Sequence, residues 1–127
     1  MASILLVEDD PFLVDIYATK LKEVGFEVVV ASDGETVFRI LKEKNETGSH
    51  LWPDAVLLDI VLPQSDGWEI LGQIKKEEKL KNLKVIILSN LGQKAEVEKG
   101  LELGAAKYLI KAHYTPSQIV EEIKKIL

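Results

Sequence analysis

The chain has 127 residues, 46% of them hydrophobic and 29% charged, with a formal net charge of −5 and no cysteine. A chain of that length forms one domain and buries roughly two thirds of the surface its unfolded form exposes, so neither disulfides nor a structural metal are needed. The missing thiols exclude cysteine catalysis, iron–sulfur clusters and thiolate zinc sites, the acidic balance argues against direct contact with nucleic acid or anionic membrane, and no apolar run nears the roughly 20 residues of a membrane span.

In chain order, Ser3–Val7 is apolar at consecutive positions, as in a strand covered on both faces of a parallel sheet. No basic residue precedes its run 4–7 and three acids follow at once, so it is not read as a signal peptide. Asp10-Pro11 reads as a helix N-cap with proline at N1, Leu13, Ile16, Leu21 and Val24 carry the helical spacing, and Gly25 closes it. A second strand is expected over 26–30, then a capping box at Ser32-Asp33-Gly34-Glu35 and a helix marked by Val37, Ile40 and Leu41. Residues 42–53 form the longest expected loop, with Gly48-Ser49 its flexible point.

The third strand is Ala55–Leu58, and Asp66-Gly67 reads as a turn and helix cap ahead of Ile70, Leu71 and Ile74. The Glu/Lys pattern over 75–84 suits a solvated helix face and loop. A strand over 84–88 leads to a helix marked by Val97 and Leu101, with Gly92 at its start, Gly100 inside and Gly104 at its end. Interior glycine costs roughly 0.5–1 kcal/mol relative to alanine, so this helix is expected to be among the weaker ones. Lys107–Ile110 is the last strand, and Thr115-Pro116-Ser117-Gln118 caps a helix carrying Ile119, Ile123 and Ile126. Five β–α repeats imply an α/β fold, a parallel sheet with helices on both faces. The expectation is one soluble, cytoplasmic domain over residues 1–127.

Ligands of open α/β sheets bind beyond the carboxyl ends of the strands. Those ends hold Glu8-Asp9-Asp10, Asp59, Ser89-Asn90 and Lys111, while Ala31-Ser32 after the second strand is uninformative. Several acids at one edge repel one another unless a cation neutralises them, and a few hard oxygen ligands completed by water suit Mg²⁺. An Asp beside Mg²⁺, an ammonium and a hydroxyl has what phosphoryl transfer needs: a carboxylate to attack and positive groups to neutralise the phosphoryl oxygens.

These segments strongly resemble the receiver domain of two-component response regulators. ILLVEDD (4–10) is similar to the family's acidic start, and LLDIVLPQSDGWEIL (57–71) to its phosphoacceptor segment, with Pro63 four and Gly67 eight residues beyond Asp59. VIILSN (85–90) carries the Ser/Thr position, and KYLIK (107–111) the lysine with an aromatic three residues before it. The resemblance implies a flavodoxin-like, doubly wound (βα)₅ fold with strand order 2-1-3-4-5. It makes Asp59 the phosphoacceptor, charged by a histidine kinase or histidine phosphotransfer protein. Asp9 and Asp59 would bind Mg²⁺ directly, Glu8 through water, and the backbone carbonyl of Val61 would complete the protein ligands, with Mn²⁺ able to substitute. Ser89 and Lys111 would contact the phosphoryl group, and Tyr108 would be the aromatic switch that turns inward on activation. The altered face of the fourth and fifth helices and fifth strand would meet an unidentified downstream protein, and phosphorylation-dependent pairing of two copies is one form that contact can take. Such a chain is a switch that phosphorylates and dephosphorylates itself, with no turnover of an external substrate.

Plainer roles stand beside these. Asp10 is better read as a cap than as a ligand, Asp9 could cap as well, Ser89 could satisfy local backbone, and Tyr108 could simply pack. His50 and His113 have no partner at ligand spacing and suit the surface or packing. Ala112 follows Lys111 where receivers commonly carry a cis proline; a non-proline cis bond costs about 3 kcal/mol, so a trans bond, or a cis bond held under strain, is expected. Val61 and Leu91 occupy the two positions that influence hydrolysis of the aspartyl phosphate in receivers. Both are apolar and cannot orient water, so slow self-dephosphorylation is expected. A phosphatase of the haloacid dehalogenase type would need a second Asp where Val61 stands, together with a cap insertion. A flavodoxin-like FMN carrier would need Ser, Thr or Gly where Glu8-Asp9-Asp10 would repel its phosphate.

Overall fold

Strand residues that are apolar at every position have to be covered from both sides, and the computed structural model, which describes residues 2–48 and 52–127, shows this arrangement. The strands are β1 (Ser3–Val7), β2 (Glu27–Ala31), β3 (Ala55–Leu58), β4 (Lys84–Ser89) and β5 (Lys107–Ile110). All five pair in parallel in the order β2-β1-β3-β4-β5, the flavodoxin-like order. Helices α1 (Pro11–Glu23), α2 (Gly34–Thr47), α3 (Gly67–Lys76), α4 (Lys94–Glu102) and α5 (Pro116–Ile126) connect and cover them.

Successive strand side chains point to opposite faces, so each strand feeds two cores. Leu5, Val7, Val56, Leu58, Val85 and Ile87 pack with Val37 and Leu41 of α2 and Ile70, Leu71 and Ile74 of α3. Ile4, Leu6, Ala55, Leu57, Ile86 and Leu88 pack on the other side with Leu21 of α1 and Ile119 and Ile123 of α5. The helix starts at Asp10, Asp66 and Thr115 follow the expected capping, and Gly25 and Gly104 follow α1 and α4 with φ of +97° and +106°.

Several boundaries differ from the sequence expectation. α2 continues to Thr47, so residues 42–47 are helical: the segment Lys42–Thr47 lacks apolar residues because its last turns face solvent, yet Glu and Lys favour helix, and Gly48 caps it at φ +63°. Ser49 and His50 lie outside the described residues. The cap of α2 is Asp33, not Ser32, with Asp33 Oδ1 accepting from the Thr36 amide at 2.8 Å. α4 begins at Lys94, two residues beyond Gly92, after Gln93 donates its amide to Glu96 Oε1 at 3.0 Å. A short antiparallel hairpin, Val61–Leu62 with Ser65–Asp66, and a 3₁₀ turn over Lys111–His113 were not foreseen. Lys75, expected on a solvated face, donates to the carbonyls of Lys81 and Leu83 at 3.2 and 2.7 Å.

Candidate functional site

The register of the sheet assembles the site. Val7 pairs with both Ala31 and Leu58, so Glu8 and Asp59 leave neighbouring strands at the same level. Ser89 pairs with Ile110, which puts Lys111 one residue beyond, at the same edge. The backbone fixes the exits further: the Glu8 amide donates to the Ala31 carbonyl at 3.1 Å, and the Asp59 amide to the Val7 carbonyl at 3.0 Å.

Glu8, Asp9 and Asp59 bring carboxylate oxygens within 4.8 Å of one another. Glu8 and Asp59 are buried at 3% and 6% exposure, with Asp9 the more open member. Lys111 reaches into this group, its Nζ standing 2.9 Å from Asp59 Oδ2 and 3.1 and 3.2 Å from the two Glu8 oxygens. It does so across a trans Lys111–Ala112 bond, since the described residues contain no cis peptide. Asp59 Oδ1 accepts from the Val61 amide at 3.2 Å.

Burial pushes the Glu8 carboxyl up to about 7, and the hydrogen bond and charge of Asp59 add to that; Lys111 opposes the shift without cancelling it. For Lys111, burial works against the ammonium, but Asp59 and then Glu8 outweigh it and the net shift is upward. Three hard oxygen donors opposed by one ammonium form a donor set of the kind Mg²⁺ takes, with water completing the shell.

The loop carrying Asp59 is held by close backbone packing. The Gly67 amide donates to the Ile60 carbonyl at 3.0 Å, and a Cβ on Gly67 would stand 2.4 Å from Ile60 Cα and 2.8 Å from the Asp59 carbonyl oxygen. Only glycine tolerates that approach. Asp66 caps α3 by accepting from the Trp68 amide and is not among the clustered acids; Asp10 likewise caps α1 through the Phe12 and Leu13 amides.

Ser89 is fully buried, and its Oγ accepts from the Leu91 amide at 3.2 Å. The Tyr108 hydroxyl donates to the Leu91 carbonyl, with its ring turned inward against the α2–α3 core. Burial raises the Tyr108 phenol and the charge of Glu96 adds to that, while Ser89 lowers it through a hydrogen bond. Leu91 thus joins Ser89 to Tyr108 through its backbone, a role that composition cannot reveal. Gly100 was also missed as a site residue: a Cβ there would meet Ile87 Cδ1 and Tyr108 Cδ2 at 2.7 and 2.8 Å. Among the expected site residues Val61 is 58% exposed, while His113, expected at the surface or in packing, is exposed and is not part of the acidic cluster.

Comparison with known proteins agrees with this geometry. The pattern of the response regulator receiver domain matches residues 4–124. The phosphate regulon transcriptional regulatory protein PhoB of Escherichia coli strain K12 is 31% identical over 124 residues, covering 98% of this chain and 51% of that protein. The chain spans about half the length of the curated relatives it matches. The phosphorylated cyanobacterial phytochrome response regulator RcpA is similar in structure at 31% identity and a TM-score of 0.80, over 98% of this chain and 90% of its own. The Mn²⁺-bound form of response regulator Rcp1 matches at 29% identity and a TM-score of 0.82, over 98% and 93%. With acids, hydroxyl and lysine gathered at one edge of a β2-β1-β3-β4-β5 sheet, the chain belongs to the response regulator receiver domain family.

Proposed function

We propose that Asp59 accepts a phosphoryl group from a phosphohistidine of a histidine kinase or histidine phosphotransfer protein. An Asp59 carboxylate oxygen attacks phosphorus, the P–N bond breaks, and the imidazole leaves with its electron pair, giving an aspartyl phosphate. Asp9 and Asp59 would hold Mg²⁺ directly, Glu8 through water and Val61 by its carbonyl; bound there, the ion neutralises charge on the acids and on the transferred group. Lys111 supplies the fixed positive charge, and Ser89 a hydroxyl for a phosphoryl oxygen. Phosphorylation then shifts the balance between two arrangements of the Ser89–Leu91–Tyr108 connection, altering the face of α4, β5 and α5 that a partner protein meets.

One observation carries this reading: Lys111 Nζ lies 2.9 Å from Asp59 Oδ2 within a three-acid cluster whose Glu8 and Asp59 are buried. The protein modifies itself and turns over no external substrate. The relatives' names as transcriptional regulators suit an output through further protein rather than through this acidic chain. No helix among the described residues is long and apolar enough to cross a membrane, and a cytoplasmic location suits the phosphodonor. Phosphoramidate, a small P–N donor, given with Mg²⁺ should add one phosphoryl group by intact-mass measurement, and D59N should take none. Modification of D59N to the native extent, or none of the native chain, overturns the proposal.

A further inference from the structure

The Lys99 ammonium lies over the Trp68 ring, 4.5 Å from its centroid. Lys99 belongs to α4 and Trp68 to the first turn of α3, so this contact ties two helices together. Each side leads back to the site. The Trp68 amide donates to Asp66 Oδ1 at 2.9 Å, Asp66 pairs with Val61 in the short hairpin, and the Val61 amide donates to Asp59 Oδ1 at 3.2 Å. On the other side, Gly100 follows Lys99 directly and sits against the ring of Tyr108, whose hydroxyl bonds the Leu91 carbonyl. The Lys99–Trp68 contact therefore connects the Asp59 loop to Tyr108 by a route that bypasses Ser89.

We propose that Lys99 is a positioning residue, holding α4 against Trp68 so that the Asp59 loop and the inward placement of Tyr108 are coupled. This rests on Asp59 being the phosphoacceptor. Two features give a modest contact leverage. Gly100 is the only buried residue of α4, so little else anchors the helix. The neighbouring Glu98 pairs with Lys94 at 3.8 Å, leaving the indole face as the described partner of the Lys99 charge. Lys99 is exposed and Trp68 half-buried, and a surface cation over an indole face shifts an equilibrium by about two- to five-fold.

The test titrates beryllofluoride with Mg²⁺, an aspartyl-phosphate mimic, into the native chain, K99M, K99R, W68L and K99M/W68L, followed by amide NMR with Mg²⁺ alone as control. K99M should weaken beryllofluoride binding about two- to five-fold and speed amide exchange in α4 by a similar factor. K99R should restore both, and K99M/W68L should be no worse than either single variant, because both remove the same contact. Unchanged binding and exchange in K99M, failure of K99R to rescue, or additive effects in the double variant overturns the coupling. A native chain that ignores beryllofluoride overturns the phosphoacceptor reading as well, whereas native binding with an indifferent K99M overturns the coupling alone.

Discussion

Tyr108 lies so close to Gly100 that no side chain fits between α4 and β5: a Cβ on Gly100 would stand 2.8 Å from Tyr108 Cδ2 and 2.7 Å from Ile87 Cδ1. In a solvated helix, replacing glycine with alanine stabilises by about 1 kcal/mol. G100A is expected to do the opposite and destabilise by about 1 kcal/mol, since Ile87 has no room to yield and the ring has to move. Urea denaturation reads the sign directly. A stabilised G100A would mean that the ring is displaced at no cost and that Tyr108 is not held inward by packing.

Glu8 makes cation binding proton-linked. Its carboxyl is pushed from 4.5 up to about 7, first by burial and then by Asp59. A raised folded pKa means that the metal-free protein holds the proton, so the associated stability is complete below about 4.5 and is lost as pH rises through about 7. Mg²⁺ requires the carboxylate form. Its affinity is therefore expected to rise with pH through this window and level off above it, with up to one proton released per ion bound on the acid side. Calorimetry in buffers of different ionisation enthalpy measures that proton count, and E8Q should abolish it. No proton release at about pH 6 would contradict the role given to Glu8.

Lys111 is the only described cation within bonding distance of Glu8 and Asp59, and its side chain is 10% exposed. K111M leaves two buried carboxyls facing each other. Glu8 can relieve part of that by holding its proton, so the expected loss is about 1–2 kcal/mol, below the 3–5 kcal/mol of a fully buried broken pair. The loss should be larger at pH 8 than at pH 5, and Mg²⁺ should recover much of it. Equal destabilisation at both pH values would show that Lys111 acts through packing, not charge.

The strand ends were legible in the sequence because four separate elements had to carry Glu8, Asp59, Ser89 and Lys111 at the same edge for the pattern to make chemical sense. Strand positions were legible because several of the five runs are apolar at consecutive positions, which suits a sheet covered on both faces. The end of α2 was not, since Lys42–Thr47 carries no apolar face and solvated helix has no periodic signal. Gly100 was read only as a weak point of α4: a missing side chain reports no partner, and its value lies in Tyr108 and Ile87, brought to it by pairing across the sheet. Leu91 joins Ser89 to Tyr108 through its amide and carbonyl, which every residue but proline has, so nothing in its side chain marks that role.

With Asp59 as the proposed phosphoacceptor, the lifetime of its phosphate would follow from what surrounds it. Val61 is 58% exposed beside Asp59 and its side chain offers an attacking water no hydrogen-bond acceptor, while Leu91 packs its side chain against the core and commits its backbone to Ser89 and Tyr108. Neither residue can orient a nucleophile, so the phosphorylated chain is expected to persist for many minutes in Mg²⁺. V61N places an amide where Val61 meets solvent and should speed hydrolysis by about ten-fold, short of the ~10²-fold that a positioned general base contributes. Intact-mass measurement after removal of phosphoramidate gives both rates. Decay of the native phosphate within seconds, or a V61N rate equal to the native one, would show that hydrolysis is limited by access of water to phosphorus and not by its orientation.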